Sequence, residues 1–277
     1  MRSTAPTVPV GAVSVMAVTE DEVTGYVSEA WRRGEGGSIV TVNVDILRAA
    51  TRDAAVAELI ADAEIVVADG MPLIWATTVS GRRLPERVTG ASLVWSLSKA
   101  ASKTRRSVYL IGGDTGVPEG AALALLREFP GLRVVGTESP PFGFENDEEQ
   151  LAALVRRVSR ARPDLVLGGL GFPKQENLIA RLRGVLPRAW MLGCGAGIPI
   201  AAGQFRRAPV VLQRTGLEWV HRLALEPRRL ARRYLLHDLP FALLLLVSSV
   251  GVRLSRRPMT ESPATTLVPT PRRAQEI

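Results

Sequence analysis

The sequence is poor in the residues that bind metals or form disulfides. A single cysteine, Cys194, excludes an internal disulfide and any cysteine-based metal cluster. The only two histidines, His221 and His237, argue against a histidine-rich metal site, and no Asp-x-Asp pair occurs. We therefore expect a functional site that contains neither a metal nor another cofactor.

Long apolar runs are missing as well. No stretch of 18 apolar residues occurs, and the nearest approach is the run from Leu239 to Val252. As a helix this run would measure about 21 Å, short of a hydrocarbon core of roughly 30 Å. The N-terminus lacks the charged and apolar segments of a secretory signal. The chain is expected to be cytoplasmic or peripheral, with residues 239–252 lying in a membrane interface or packing on the core.

Lysine is scarce, so arginine carries almost all of the positive charge. The formal net charge is +8, and only three of the 35 basic residues are lysines. Arginine is suited to phosphates, although a GC-rich genome produces the same bias. Eleven arginines lie between residues 206 and 257, opposed there by three acidic residues. They border an apolar segment instead of alternating with stacking aromatics, which favours an anionic lipid surface over nucleic acid as the partner.

Short β-branched runs alternate with helical stretches before this arginine cluster. Strands are predicted at 39–42, 65–68, 108–111, 132–135, 164–167 and 189–192. Helices are predicted at 53–63, 72–79, 91–102, 116–129, 146–161 and 174–184. The alternation predicts βαβ units in a Rossmann-like, doubly wound, mostly parallel sheet. We expect an α/β core over 1–203 with a loose arm at 1–12, an arginine-rich helical appendage over 204–257, and a disordered tail at 258–277.

Three of the predicted strands run directly into glycine-rich turns. The turns contain Gly112-Gly113, Gly169-Leu-Gly171 and Gly193-Cys-Gly195. Ligands bind beyond the carboxyl ends of strands in such sheets, and glycine lets the backbone approach a phosphate at a helix N-terminus. One such turn more often serves tight geometry alone, but three together favour a diphosphate. Neither G-x-G-x-x-G nor a Walker A pattern occurs, so the ligand is expected to be a nucleoside diphosphate other than NAD or hydrolysed ATP.

Polar residues follow or end the predicted strands. Asp69 could act as a general base or cap the helix that follows it. Thr41 and Asn43 share a strand face, and could bind a sugar or cap the next segment. Asp114 could bind a ribose or sugar hydroxyl, or cap its helix.

Two more polar groups lie outside these strand ends. Arg87 could neutralise a diphosphate. Gln175 could donate to a phosphate or a sugar hydroxyl at the start of its helix. Its neighbour Glu176 is expected only to interact favourably with the helix dipole.

A set of short motifs, in the order in which they follow one another along the chain, resembles the WecG/TagA/CpsF glycosyltransferase family from about residue 18 to 233. The motifs are Thr41-Val-Asn43, Ala68-Asp69-Gly70-Met-Pro, Glu86-Arg87-Val-Thr-Gly90, Tyr109-Leu-Ile-Gly-Gly, Gly171-Phe-Pro-Lys-Gln175-Glu, Arg207-Ala-Pro, Gly216-Leu-Glu-Trp219 and Arg222-Leu-Ala-Leu-Glu-Pro. Each motif is weak alone, whereas their order and spacing are specific.

The resemblance implies an inverting, metal-independent transferase. It would pass a sugar, often N-acetylmannosamine, from its UDP derivative to a polyprenyl-diphosphate-linked sugar during assembly of an envelope polysaccharide or exopolysaccharide. By the same resemblance, Asp69 would be the general base, Thr41, Asn43 and Gln175 would orient sugar and diphosphate, and Arg87 would contact the donor or leaving group.

The resemblance also assigns a role to the appendage, which would complete the site and dock on the inner face of the cell membrane. Arg222, Arg229 and Arg232 would hold the acceptor diphosphate or the UDP leaving group. One departure concerns Ile198-Pro199-Ile200, which stands where the family has an aromatic-Asp-aromatic stretch, so the donor sugar stays open. The rival interpretation is a non-catalytic, membrane-associated nucleotide-binding regulator, and the oligomeric state is also open.

Overall fold

A computed structural model of the chain describes residues 5–205, 208–209, 211–212, 218–225, 231–232 and 234–255. The strands are β1 Thr7–Val10, β2 Val13–Met16, β3 Gly37–Val42, β4 Ile65–Ala68, β5 Ser107–Ile111, β6 Arg133–Glu138, β7 Leu165–Gly168 and β8 Trp190–Gly193. The helices of the core are α1 Glu20–Arg33, α2 Val44–Arg52, α3 Ala54–Ala61, α4 Met71–Val79, α5 Gly90–Lys103, α6 Val117–Glu128, α7 Glu148–Ala161, α8 Lys174–Val185 and α9 Gly197–Ala201. Two later helices are α10 Glu218–Leu225 and α11 Leu239–Leu254.

Six strands form one parallel sheet in the order β4-β3-β8-β7-β5-β6. All four residues of β4, β7 and β8 are buried, as expected for parallel strands with helices on both faces. One face packs against α1, α5, α6 and α9. The other carries α2, α3, α4 and the β1–β2 pair beside β3 and β4, and α7 and α8 beside β5 and β7. The predicted doubly wound fold is confirmed.

The predicted loose arm is wrong for the residues that the structure describes. β1 and β2 form an antiparallel hairpin with Thr7 opposite Met16. Its alternate residues Val8, Val10, Val13 and Val15 are buried in the core. Apolar residues at every second position of each strand form one buried face. The proline within this segment makes the alternation hard to recognise in the sequence. The other additions are α1, which had no predicted counterpart, and α2, which precedes a shorter version of the predicted helix 53–63.

The apolar segment near the C-terminus forms a longer helix than the apolar run indicates. Residues Leu235–Leu254 form 20 helical residues, long and apolar enough by length and composition alone to cross a membrane. Core helices of soluble proteins can have the same length and composition. The apolar run of 14 residues, 239–252, is shorter than this helix because the charged residues that bound the run, Asp238 and Arg253, both lie within the helical segment.

One face of this helix packs on the core. Ala242, Leu245 and Ser249, spaced as one helical face, are buried, and Leu245 joins the apolar cluster that contains α2 and α4. At its start, the carboxylate of Asp238 lies 3.5 Å from the guanidinium of Arg48 in α2. The helix is therefore fixed to the α/β core, although only 17% of its apolar window is buried.

The three arginines expected to act in the appendage are described to different extents. Arg229 and the expected tail at 258–277 lie outside the described residues, and of Arg222 only the backbone position in α10 is described. Arg232 is helical and exposed. The boundaries expected for the appendage and tail therefore stay predictions.

Candidate active site

The glycine-rich turns meet where the sheet topology creates a crevice. β5 connects outward to β6, whereas β7 connects in the opposite direction to β8. Such a reversal is where ligands bind in open parallel sheets. Gly112 follows β5 with φ of 114°, and a Cβ there would lie 2.5 Å from the carbonyl oxygen of Gly169. Only glycine permits this approach, so the first two turns form one continuous wall, which also includes Gly113.

Gln175 joins the second turn to the third. Its Oε1 accepts hydrogen bonds from the backbone N–H groups of Gly171, at 3.2 Å, and Gly195, at 3.0 Å. Its Nε2 donates to Oε1 of Glu176 at 2.8 Å. Gln175 is 4% exposed and Glu176 is 3% exposed. Gln175 thus holds the turns together, and Glu176 does more than the expected interaction with the helix dipole.

The third turn continues to the strands that carry the other predicted residues. Thr41, buried in β3, donates from Oγ1 to the carbonyl oxygen of Gly193 at 3.4 Å. Gly90, the first residue of α5, is so close that a Cβ there would lie 3.2 Å from Thr41 Oγ1 and 2.9 Å from the Cα of Cys194. These contacts bring the ends of β3 and β8 and the start of α5 to one place.

Asp69 lies in this place, half-buried at the end of β4. Its Oδ2 accepts a hydrogen bond from the N–H of Gly90 at 3.2 Å. The expected alternative, a cap for α4, is wrong, because Gly70 is the N-cap of α4 and no side chain caps it. Asp69 instead faces the N-terminus of α5, whose partial positive charge stabilises a carboxylate. An ionised carboxylate can accept a proton from a substrate hydroxyl.

Asn43 flanks Asp69 on the neighbouring strand. Its Oδ1 accepts from the N–H of Ile46 at 3.0 Å, so the capping role for the next segment, α2, is confirmed. A Cβ on Gly70 would lie 3.7 Å from the Cα of Asn43. Among the residues that the structure describes, the exposed side chain uses only its oxygen, which leaves the amide N–H groups available for a ligand.

Asp114 lies at the far end of the same edge, exposed beyond Gly113. The helix-capping alternative for its side chain is wrong, because Gly116 is the N-cap of α6 and no side chain bonds there. Its backbone carbonyl accepts from Ser139 Oγ at 3.0 Å. The side chain of Asp114 is therefore exposed beside the turn and does not cap the helix that it precedes.

Arg87 connects the core to the appendage. Its Nη1 lies 3.0 Å from Oε2 of Glu218, the first residue of α10, and the two side chains are 16% and 17% exposed. The next backbone N–H, of Val88, donates to the carbonyl of Ala68 at 3.1 Å and holds this loop against the end of β4. The appendage thus contacts the predicted site through a residue that the motif set implies for donor binding.

The ion pair between Arg87 and Glu218 should couple the appendage to the core energetically. A double-mutant cycle with Arg87→Gln and Glu218→Gln, followed by urea unfolding, should give a coupling of about 1 kcal/mol, since the pair is mostly shielded from water. The matched control is the Arg181–Glu148 pair, with side chains 49% and 71% exposed, for which we expect less than about 0.5 kcal/mol. Equal coupling in both cycles would mean that Glu218 does not fasten the appendage.

Two further side chains close to the site, those of Cys194 and Ile198, are buried and supply no reactive group. Burial raises the pKa of the Cys194 thiol to about 12, and the thiol donates to the carbonyl of Gly168. Ile198, in the stretch that departs from the family pattern, is fully buried in α9 against Gly169. Within the described ranges no group of three or more His, Cys, Asp or Glu side chains is placed to hold a metal ion.

Comparison with known proteins supplies a family for this arrangement. The family model described as "Glycosyl transferase WecG/TagA/CpsF family" matches residues 8–255. An N-acetylglucosaminyldiphosphoundecaprenol N-acetyl-β-D-mannosaminyltransferase of Bacillus subtilis (strain 168) is 29% identical over 197 residues, covering 71% of this chain and 75% of that protein. Proteins of the same name from Bacillus spizizenii and Staphylococcus aureus (strain NCTC 8325 / PS 47) are 27% and 30% identical, over 79% and 70% of this chain and 85% and 74% of theirs.

Proposed function

The chain belongs to the WecG/TagA/CpsF family of glycosyltransferases, and we propose that it transfers a sugar from a UDP-sugar to a polyprenyl-diphosphate-linked sugar in envelope polysaccharide assembly. The names of its relatives support N-acetylmannosamine as the donor sugar and diphosphoundecaprenol-linked N-acetylglucosamine as the acceptor. The Ile198-Pro199-Ile200 departure makes related UDP-sugars the next donors to test.

The observation that carries the mechanism is the position of Asp69. It lies at the carboxyl edge of the sheet, hydrogen-bonded to the N-terminus of α5 and flanked by Thr41 and Asn43. We propose that its carboxylate takes the proton of the acceptor hydroxyl. The hydroxyl oxygen then bonds to the anomeric carbon, the bond from that carbon to the diphosphate breaks, and UDP leaves with the electron pair. A single displacement of this kind inverts the anomeric configuration.

The charge of departing UDP needs stabilisation. Backbone N–H groups of the turn after β5, which leads into the N-terminus of α6, supply one set of donors. Arg87 and the appendage arginines Arg222, Arg229 and Arg232 supply positive charge, so the proposed reaction requires no metal. The pairing of Arg87 with Glu218 supports a site that the appendage completes.

Turnover and stereochemistry test this proposal together. The full chain, offered a panel of UDP-sugars and a short-chain prenyl-diphosphate N-acetylglucosamine, should release UDP in the presence of excess EDTA. Proton NMR of the product should show the anomeric configuration opposite to that of the donor. Retention of configuration would contradict a single displacement, and loss of UDP release in EDTA would contradict metal independence. Binding of the UDP-sugar without release of UDP would favour the regulatory alternative.

We also propose that the enzyme works at the inner face of the cell membrane as a peripheral protein. The face of α11 away from the core is apolar and exposed at Leu243, Leu244, Val247 and Val250. Arg253 continues this exposed helix at its C-terminal end. The other face packs on the core, which supports a helix that lies in the interface over one that spans it.

A further inference from the structure

A buried carboxyl group lies beneath the proposed diphosphate site. Glu176 is 3% exposed, its Oε1 accepts from Gln175, and its Oε2 is buried with no hydrogen-bond partner among the described residues. A Cβ on Gly193 would lie 3.1 Å from Glu176 Oε1 and 2.7 Å from Gln175 Nε2. The two side chains therefore fill the space between the start of α8 and the end of β8.

No cation in the described part of the chain neutralises this carboxyl group. The other charged residues of α8 are engaged elsewhere, Lys174 with Glu145, Arg181 with Glu148 on α7, and Arg183 with Glu64 before β4. From the turn after β8, the facing titratable group is the Cys194 thiol, which stays protonated below about pH 12. Burial accordingly raises the pKa of Glu176. A buried carboxylate without a cation is costly, so the neutral acid is favoured.

The hydrogen bond from Gln175 explains what the carboxyl group does. The amide of Gln175 must direct its oxygen toward the two N–H donors of Gly171 and Gly195. The reverse orientation would set an NH2 group against two donors and leave the turns unpaired. Glu176 Oε1 accepts from Nε2 and so selects the orientation that fastens the second glycine turn to the third.

We propose that Glu176 is a positioning residue that acts as a neutral carboxylic acid. Through the Gln175 amide, it holds the β7 and β8 turns in the arrangement that binds the donor diphosphate. This role rests on the proposed UDP-sugar function. Ionisation of Glu176 places an uncompensated negative charge beneath the donor diphosphate, and repulsion between the like charges weakens donor binding as the pH rises.

Two substitutions separate positioning from a merely structural role. Glu176→Gln keeps the shape and an acceptor oxygen for Gln175 but cannot ionise, whereas Glu176→Leu keeps the volume and removes the acceptor. For the wild type we expect the UDP dissociation constant and the donor KM to rise as the pH increases through the folded-state pKa of Glu176, and for E176Q both should stay flat. E176L should show a donor KM raised about tenfold or more at every pH, with kcat within about threefold, as expected for loss of about 1.4 kcal/mol of binding.

Glu148→Gln, at an exposed carboxylate on α7, is the matched control and should keep the wild-type pH profile. Loss of packing alone lowers the fraction of active protein, and hence kcat, without changing donor KM or its pH profile. If E176L does not fold, E176Q still tests the proposal, because a rise in its UDP dissociation constant with pH equal to that of the wild type overturns it. If the wild type itself binds no UDP, the proposed function fails and the role of Glu176 fails with it.

The same group should affect stability, with a definite sign. The pKa of Glu176 is raised in the folded state above the value of 4.5 for an unperturbed glutamate. The folded state therefore binds the proton more tightly, and stability is fully present below pH 4.5 and is lost as the pH rises through the folded-state pKa. In urea unfolding, E176Q should be more stable than the wild type at neutral to alkaline pH and should lose that advantage near pH 4. A constant difference between the two proteins across that range would mean that Glu176 does not change ionisation.

Discussion

Replacing Asp69 by asparagine should lower turnover by about 10²–10⁴-fold while the UDP dissociation constant changes little. Asparagine keeps the shape of the side chain and an oxygen that can accept from the N–H of Gly90, so the start of α5 stays in place. What it cannot do is take a proton from the acceptor hydroxyl. The loss should therefore appear in kcat and not in donor binding, which is the pattern expected for a group that acts only in the transition state.

The control for this experiment replaces an aspartate by asparagine at the opposite end of the same strand. Asp62 is exposed and precedes β4, whereas Asp69 follows it, and Asp62→Asn should leave turnover unchanged. Steady-state kinetics and calorimetric titration with UDP, on both variants, provide the comparison. Turnover of the Asp69 variant within about threefold of the wild type would remove Asp69 as the base, and a parallel loss of UDP binding would assign it to the donor site instead.

The sheet could be predicted from the sequence because its strands are short, apolar and buried on both faces. The run Ile65–Ala68 was predicted residue for residue, and the other five strands were found within two residues except for the end of β6. The glycine turns and Asp69 followed from their positions after these strands. These predictions depend only on local sequence pattern, because a continuous apolar run is enough to indicate a buried parallel strand.

The contacts that complete the site could not be predicted, because they join residues far apart in the chain. Asp69 bonds to Gly90, and Arg87 pairs with Glu218 across 131 positions. Glu176 in the sequence is an acidic residue in a helical first turn, a position that is usually solvated. Only the fold shows that this turn lies beneath Gly193, where the carboxyl group is buried. Long-range packing, which has no local signature, determines these roles.

The packing of α11 connects the proposed membrane surface with the catalytic edge. Its buried face rests on α4, which begins two residues after Asp69, and Asp238 at its start contacts Arg48 in α2. Both α2 and α4 begin at the carboxyl edge of the sheet. A helix that lies in the membrane interface and is fixed to these two helices would hold the edge that carries Asp69 at a set distance from the lipid headgroups, where the proposed lipid-linked acceptor would present its sugar.

Replacing Leu243 and Val247 by glutamine should therefore reduce binding to anionic vesicles by about two orders of magnitude. Both side chains point away from the core, at 55% and 70% exposure, so the fold should be preserved. Burying a side chain of this size in an apolar medium stabilises by about 1.5 kcal/mol or more, which corresponds to roughly tenfold in affinity for each residue. Co-sedimentation with vesicles of phosphatidylglycerol and phosphatidylcholine measures the change.

Two acceptors distinguish a docking role from a catalytic one. Activity on a long-chain prenyl-diphosphate acceptor embedded in vesicles should fall together with vesicle binding, whereas activity on a water-soluble short-chain acceptor should not change. The matched control, Leu123→Gln at a 56% exposed leucine of α6 on the other side of the sheet, should leave both activities intact. Equal loss on both acceptors would mean that α11 supports the active site itself, and unchanged vesicle binding would remove this face from the membrane contact. The expected split follows because the buried face of α11 holds the core while its exposed apolar face has no partner among the residues that the structure describes.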